Sequence, residues 1–190
     1  MRRLPLMVVA ICSFAACVDS PERPAQTGWL EARWTGADTG QIATHSTAEW
    51  CRERQRLEIR AIDGDTGIAL VVYPRDTVET DSYRVVQPER AESVPPAASI
   101  ALRVFSSTTI QGYQGDSGTV VLESSSSGEL SGTFEATVRS VVNGQLLTLI
   151  GEARDLVVVP QARGCKPEAP ADSTDYDPEI SDSEIDPELD

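Results

Sequence analysis

The chain has 190 residues with 16 basic and 30 acidic side chains, so its formal net charge is −14. Residues 17–166 hold 14 of the bases and 20 of the acids, whereas residues 167–190 hold ten acids and no base. No segment has the clustered positive charge that nucleic acids and anionic lipid surfaces require, which excludes both as main partners.

The first 16 residues predict a signal peptide. Arg2 and Arg3 precede an apolar run over residues 4–16, which is too short for a permanent transmembrane helix of about 20 residues. The end of this run, Phe14-Ala15-Ala16-Cys17, resembles the lipobox of bacterial lipoproteins. The resemblance implies acylation of Cys17 after cleavage.

An acylated Cys17 predicts a lipid-anchored protein of the cell envelope, on the outer membrane or the periplasmic face, with the bilayer as partner. Residues 17–27 are polar and contain prolines, so they predict a tether between the anchor and the domain. The alternative is ordinary cleavage near Ala16 and a soluble secreted product.

Residues 28–165 predict one all-β domain, because short apolar runs alternate with turn residues and no helical period lasts three turns. About 8 to 10 strands at this spacing favour a single antiparallel meander, closed as a barrel or folded as a sandwich. The predicted strands cover residues 29–34, 41–51, 56–62, 68–73, 82–87, 98–106, 110–114, 119–124, 129–142 and 146–159.

Several connections have recognisable turn chemistry. Asn143-Gly144 predicts a hairpin that pairs residues 133–141 with 146–154, since both residues tolerate positive φ. Residues 63–67 predict another hairpin, and the prolines in residues 88–97 predict a loop.

Cys51 and Cys165 predict a disulfide. Cys12 leaves with the leader and Cys17 takes the lipid, so these two cysteines remain in an oxidising compartment. The bond would hold the last strand near the second; two buried free thiols are the alternative. Neither cysteine has further ligands at zinc-like spacing, so no metal site and no cofactor are predicted.

Residues 166–190 predict a disordered acidic tail, because they contain few large apolar residues to offset the entropy of ordering. Within the tail, Asp177-Pro178-Glu179-Ile180 recurs as Asp186-Pro187-Glu188-Leu189. A solvated tail is the favoured interpretation, with a docking motif or a weak calcium site as alternatives.

Gly115-Asp116-Ser117-Gly118 resembles the nucleophile motif of chymotrypsin-like serine proteases. The resemblance implies Ser117 as nucleophile and His45 as base, with an orienting acid among Asp63, Asp65 and Asp76. The chain departs from the family at Thr119, where the family has a second glycine. A turn between two strands explains the same four residues. A serine hydrolase is therefore a distant third hypothesis for the function.

Two Asp-Thr-Gly triplets, at residues 38–40 and 65–67, resemble the catalytic triplet of aspartic proteases. Only 27 residues separate them, whereas the family separates its triplets by a whole lobe. Hairpin turns are the favoured interpretation.

The three tryptophans, Trp29, Trp34 and Trp50, fall in the first strands and predict either a cavity lining or core aromatics. Gly28-Trp29 resembles the Gly-x-Trp opening of lipocalins, without the spacing residue. This resemblance implies a carrier of a small apolar ligand as the alternative function.

A broader resemblance rests on Cys51, residues 64–70, residues 132–134 and Gly164-Cys165. Over residues 28–165 the chain resembles a group of small secreted bacterial lipoproteins of uncharacterised activity. The resemblance implies a β-rich extracytoplasmic domain and supplies no activity. The leading hypothesis is therefore a non-enzymatic envelope lipoprotein that binds or scaffolds a partner.

Overall fold

A computed structural model describes residues 28–78, 80–106, 109–124, 128–161 and 165. The predicted leader, Cys17 with its tether and the acidic tail lie outside these residues. The prediction of an all-β domain is confirmed, because nearly all described elements are strands. In chain order they are β1 (Gly28–Gly36), β2 (Gly40–Cys51), β3 (Arg56–Asp63), β4 (Thr66–Tyr73), β5 (Asp81–Val85), α1 (Pro88–Ala91), β6 (Ala97–Ser106), β7 (Thr109–Ser124), β8 (Leu130–Ser140), β9 (Leu146–Leu156) and β10 (Val158–Pro160).

The sheet closes into a barrel, which decides between the two predicted architectures. Going around, β1 pairs with β2, then β3, β4, β6, β7, β8 and β9 follow, and β9 pairs again with β1. These neighbours are all antiparallel, as a meander requires. Two parallel pairings are added: β5 lies between β6 and β7 and runs parallel to β6, and β10 runs parallel to β2.

The Asn-Gly hairpin pairs β8 with β9 as predicted, with Arg139 opposite Leu146. Its loop is wider than a two-residue turn, because only Gly144 has positive φ, at 72°. The Ser140 hydroxyl accepts hydrogen bonds from the backbone N–H groups of Val142 and Asn143 at 3.3 and 3.4 Å. These side-chain hydrogen bonds help to close the turn, in which only one residue has positive φ.

The Gly115–Gly118 segment is a β-bulge, so the predicted turn between two strands is wrong. β7 runs unbroken through it; Gly115 pairs with Val138 and Ser117 with Thr137, which leaves Asp116 as the extra residue. Gly118 has a φ of 136°, a conformation that L side chains rarely adopt. Because β8 pairs with β7 on both sides of this segment, the glycine-containing segment forms a bulge and not a turn.

Two other segments differ in detail from the predictions. The predicted loop over residues 88–97 begins with one helical turn, α1. The predicted last strand divides into β9 and β10 at Val157, two residues after Asp155, which has a φ of 54°. In the described part of the chain no helix is long and apolar enough to cross a bilayer.

The barrel interior is filled by side chains from alternate positions of every long strand. Small residues accommodate the larger ones: a Cβ on Gly40 would overlap the Trp34 ring, and one on Gly151 would overlap the Phe134 ring. The largest fully buried side chains are Tyr83, Leu30, Leu57, Ile59, Ile68, Leu70, Ile100, Leu102, Leu122, Leu147, Leu149 and Leu156.

The barrel has two distinct ends. The distal end carries the β1–β2, β3–β4, β6–β7 and β8–β9 connections, which follow from the antiparallel order. The basal end carries the β2–β3 connection, α1, β10 and Cys165, and β1 begins on the same side. The chain therefore enters and leaves the described domain on the basal side.

Candidate functional site

The predicted disulfide joins Cys51, the last residue of β2, to Cys165 at the basal end. The Cα atoms are 5.2 Å apart, and the bond closes a loop with a sequence separation of 114. The prediction is confirmed, and the parallel pairing of β10 with β2 explains its geometry. β10 continues beside β2 below the point where β1 begins, which directs the following residues towards Cys51.

Cys51 and Cys165 lie close to the carboxylate of Glu53. Among the described residues this is the single group whose three potential ligand atoms lie within 4.8 Å of one another. Both sulfur atoms are joined in the disulfide and carry no thiolate charge, so the group does not have the donors of a metal centre.

Ser117 and His45 are far apart, so they do not form a nucleophile and base pair. The strand register leads from Ser117 through β8 and β9 to Thr35 of β1, whereas His45 pairs with Trp29. Six residues of β1 separate these two points, which corresponds to about 20 Å along the strand. A base must reach its nucleophile within a hydrogen bond, about 3 Å.

His45 has a different neighbour. Its ring lies edge-on to Trp29 on the outer face of the barrel, with the ring centroids 5.3 Å apart and an interplanar angle of 84°. This geometry is a favourable aromatic contact between β2 and β1. The contact gives His45 a packing role between the two strands.

The two Asp-Thr-Gly triplets occur at hairpin turns of the distal end, as predicted. Asp38 accepts a hydrogen bond from the Thr39 backbone N–H at 2.8 Å, which is local turn chemistry. Asp65 belongs to the connection between β3 and β4, where Gly64 has a φ of 52°. Both carboxylates are exposed, so neither has the buried setting of a shared-proton dyad.

The tryptophans do not surround a common cavity. Trp34 is 3% exposed within the filled core, and Trp29 lies on the outer face against His45. Trp50 lies at the basal end, where it lines a cleft of about 600 Å³ together with Val78, Leu130 and other residues. The cleft has the volume of a small-molecule site and adjoins the core, because Leu130 belongs to the core and Trp50 packs against it.

The outer face of β1, β2, β7, β8 and β9 forms a shallow depression of about 730 Å³. Glu31 and Glu152 are directly opposite each other there, and Arg154 contacts both carboxylates at 3.5 and 3.1 Å. The arginine offsets the repulsion between two like charges on paired strands.

Burial shifts the pKa of two tyrosines. Burial raises the pKa of the Tyr73 phenol, against a smaller opposing effect of Arg56. Burial also raises the pKa of Tyr113, whose hydroxyl donates to Gln111 Oε1 at 2.8 Å. On β3, the hydrogen bond to Glu58 raises the pKa of Arg60.

Exposed apolar side chains concentrate at the distal end and form what we call the apolar rim. Phe105 pairs with Ile110, and the Val141 N–H donates to the Gly112 carbonyl at 3.0 Å, so β6, β7 and the β8–β9 loop are continuous here. Six of the nine large apolar side chains exposed in the described residues belong to the rim: Ile62 (65%), Phe105, Ile110, Val141, Val142 (80%) and Leu146.

The described distal turns next to the rim carry charges of one sign. Asp38, Asp63 and Asp65 are exposed in the distal turns. The described parts of these turns, residues 37–39, 63–66 and 141–145, contain no lysine or arginine. These turns therefore place negative charge beside the apolar rim, whereas Arg103 of β6 places a positive charge over the rim residue Phe105 at 4.8 Å.

Sequence reasoning did not identify the rim, because its residues come from five separate segments. A signal was present at Val141-Val142, where two apolar residues directly precede the Asn-Gly turn. The other members become neighbours only through strand pairing. No protein-family model, curated protein or solved structure matches this chain.

Proposed function

We propose that this chain is a non-enzymatic binding module of the bacterial cell envelope, anchored by lipid on Cys17, and that its apolar rim binds a protein partner. One observation carries the proposal: the chain enters and leaves on the basal side, whereas the exposed apolar residues gather at the opposite end. An anchor on the basal side would present the rim away from the membrane.

The chemistry of the rim defines the partner. Contiguous exposed apolar surface marks interaction sites, and Val142 is 80% exposed at the tip of a hairpin. The aspartates of the distal turns favour a protein surface with an apolar centre and basic residues at its edge. The disulfide supports an oxidising compartment such as the periplasm.

The anchor is tested with Cys17→Ser in the native host. We expect the variant to move from the membrane fraction to the soluble fraction, because acyl chains supply the membrane affinity. Unchanged membrane association would contradict the anchor and favour another mode of retention, while an unchanged soluble location of both forms would favour the secreted alternative.

The rim is tested with a photo-crosslinking residue at Val142 in intact cells, with Val157 as the matched control. Val157 is a 45% exposed valine outside the rim, next to β10 at the basal end. We expect a discrete crosslinked species from position 142 that Ile110→Asp abolishes. Equal crosslinking from both positions, or crosslinking that Ile110→Asp does not affect, would overturn the rim as the binding surface.

The second candidate is a carrier of a small apolar ligand, and the Trp50 cleft is the observation that favours it. Native mass spectrometry of the protein purified from its own cells distinguishes the two. A retained small-molecule mass that Trp50→Ala removes would support the carrier. A protein mass without ligand, but with acyl chains and the disulfide, would support the binding module.

A further inference from the structure

A narrow groove runs along β4 on the outer face of the barrel, and we call it the β4 groove. Its floor consists of Gly67, Ala69 and Ala101, which have little or no side chain. The strand register places Arg60 beside Ala69 on the β3 wall, and Arg103 beside Gly67 on the β6 wall. The cavity has a volume of about 250 Å³.

The groove is wide enough for an extended peptide to lie along it. Its walls belong to β3 and β6, which lie on either side of β4 and are therefore two strand spacings apart, about 10 Å. Ile62 and Phe105 continue the walls towards the distal end. The lining thus offers apolar side chains at one end and a guanidinium group on each wall.

Two arginines and one acid line the described part of the groove. Arg103 stacks over the Phe105 ring at 4.8 Å and has no carboxylate within 4.0 Å among the described residues. Arg60 forms an ion pair with Glu58 at 2.7 Å, but its side chain is 46% exposed and keeps other donors available. Asp65 is the one acid that lines the groove within the described part of the chain.

We propose that the acidic tail of this chain docks in the β4 groove through its repeated Asp-Pro-Glu-Ile and Asp-Pro-Glu-Leu segments. Each repeat joins two carboxylates to one aliphatic side chain, at residues 177–180 and 186–189. The carboxylates complement the groove's two arginines, and the aliphatic side chain complements Ile62 and Phe105. The tail has no basic residue after Lys166 that would compete for these acids.

The position of Cys165 places the β4 groove within reach of the tail. The disulfide holds Cys165 beside Cys51, and Cys51 pairs with Arg56 at the basal end of β3. Arg60 is four residues further along the same strand, about 13 Å away. Asp177 is 12 residues beyond Cys165, a segment that spans up to about 40 Å when extended. Covalent attachment also raises the local concentration of the repeats to about the millimolar range.

The test compares two disulfide-bonded proteins by amide NMR, one spanning residues 18–190 and one ending at residue 166, which retains the described barrel. We expect removal of the tail to shift the amide resonances of Gly67, Ala69, Ala101 and Arg103. A synthetic peptide of residues 174–190 added to the shorter protein should return them towards their positions in the longer one.

Charge variants supply the control. Arg103→Glu should weaken peptide binding by at least about tenfold, because it replaces an attraction with a repulsion. Arg33→Glu, which changes an exposed arginine on β1 across the barrel, should weaken it by less than about threefold, since exposed charges that far apart are screened. Ala101→Phe, which fills the floor without changing charge, should also abolish binding.

Three outcomes would overturn the proposal. They are the absence of tail-dependent shifts at the groove, an equal loss of binding in the Arg33 and Arg103 variants, and shifts that depend on protein concentration, which would assign the tail to a second copy. Ile62 and Phe105 belong to both the groove and the apolar rim, so a docked tail would cover part of the rim. Failure of tail docking would nevertheless leave the proposed function untouched, because the rim is tested separately by crosslinking.

Discussion

At the scale of single residues, close packing explains which positions tolerate change. Gly151 lies on the inner side of β9 between Ala32 and Phe134, the residues it pairs with on β1 and β8. A Cβ there would lie 2.5 Å from the Glu31 carbonyl oxygen and 2.7 Å from the Ala32 Cβ, besides overlapping the Phe134 ring. The barrel reaches its interior packing because this position has no side chain.

Gly151→Ala should therefore lower the free energy of unfolding by about 2 kcal/mol, the cost of overpacking a well-filled core. The matched control is Gly112→Ala, where the nearest atom to the new Cβ would be Val141 Cγ2 at 3.4 Å. The control should change the free energy of unfolding by less than about 0.5 kcal/mol. Urea unfolding measures both, and equal effects would refute the packing argument.

At the scale of elements, hairpins and bulges are set by the few residues with positive φ. Gly144 and Gly64 each have positive φ, and a Cβ added at either position would have no neighbouring atom within 4 Å, so their role is conformational rather than steric. Both hairpins were predicted because Gly with Asn or Asp is a strong local signal. The Gly118 bulge was not predicted, since a bulge depends on a neighbouring strand that keeps pairing on both sides of it.

Gly144→Ala should cost about 1 kcal/mol of unfolding free energy, because an L side chain is disfavoured at a φ of 72°. Gly144→Asn is the control, since asparagine adopts this conformation more readily and should recover most of the loss. The midpoint of urea unfolding compares the three proteins. An alanine variant as stable as the asparagine variant would contradict the conformational explanation.

At the scale of the whole molecule, the disulfide constrains nearly the full length of the described domain. Removing it with Cys51→Ala and Cys165→Ala together should lower the free energy of unfolding by about 4 kcal/mol in the chain-entropy treatment of a loop this long. Urea unfolding of the double variant beside the oxidised protein measures the loss. A stability equal to that of the oxidised protein would show that the β10–β2 pairing holds this end without the bond.

The two buried tyrosines predict how stability depends on alkaline pH. Burial raises the pKa of Tyr73 and of Tyr113 above the ordinary value of 10.0, so the folded state retains phenol protons that the unfolded state releases. Their contribution is fully present below the unfolded-state pKa and is lost as the pH rises through the folded-state pKa. The free energy of unfolding should therefore fall as the pH rises above about 9, and Tyr73→Phe with Tyr113→Phe should reduce that fall. An identical fall in the double variant would assign it to other groups.

The sequence by itself determined the strand content, the pairing of β8 with β9, the turns at the Asp-Thr-Gly triplets and the partnership of Cys51 with Cys165. Alternation, turn residues and the count of cysteines are local or compositional signals. They can be recognised without knowing which strands are neighbours. Tertiary structure alone decided that the sheet closes, that β5 and β10 pair in parallel, and that Ser117 lies far from His45.

The apolar rim and the β4 groove also belong to tertiary structure. Ile62, Phe105 and Val142 are distant in the chain, and each reads alone as an ordinary exposed residue. Barrel closure and strand register bring them to one end, because a side chain's neighbours across strands depend on non-local pairing. Local patterns can therefore specify the strands of this protein, whereas the grouping of its exposed apolar residues is decided by how those strands align.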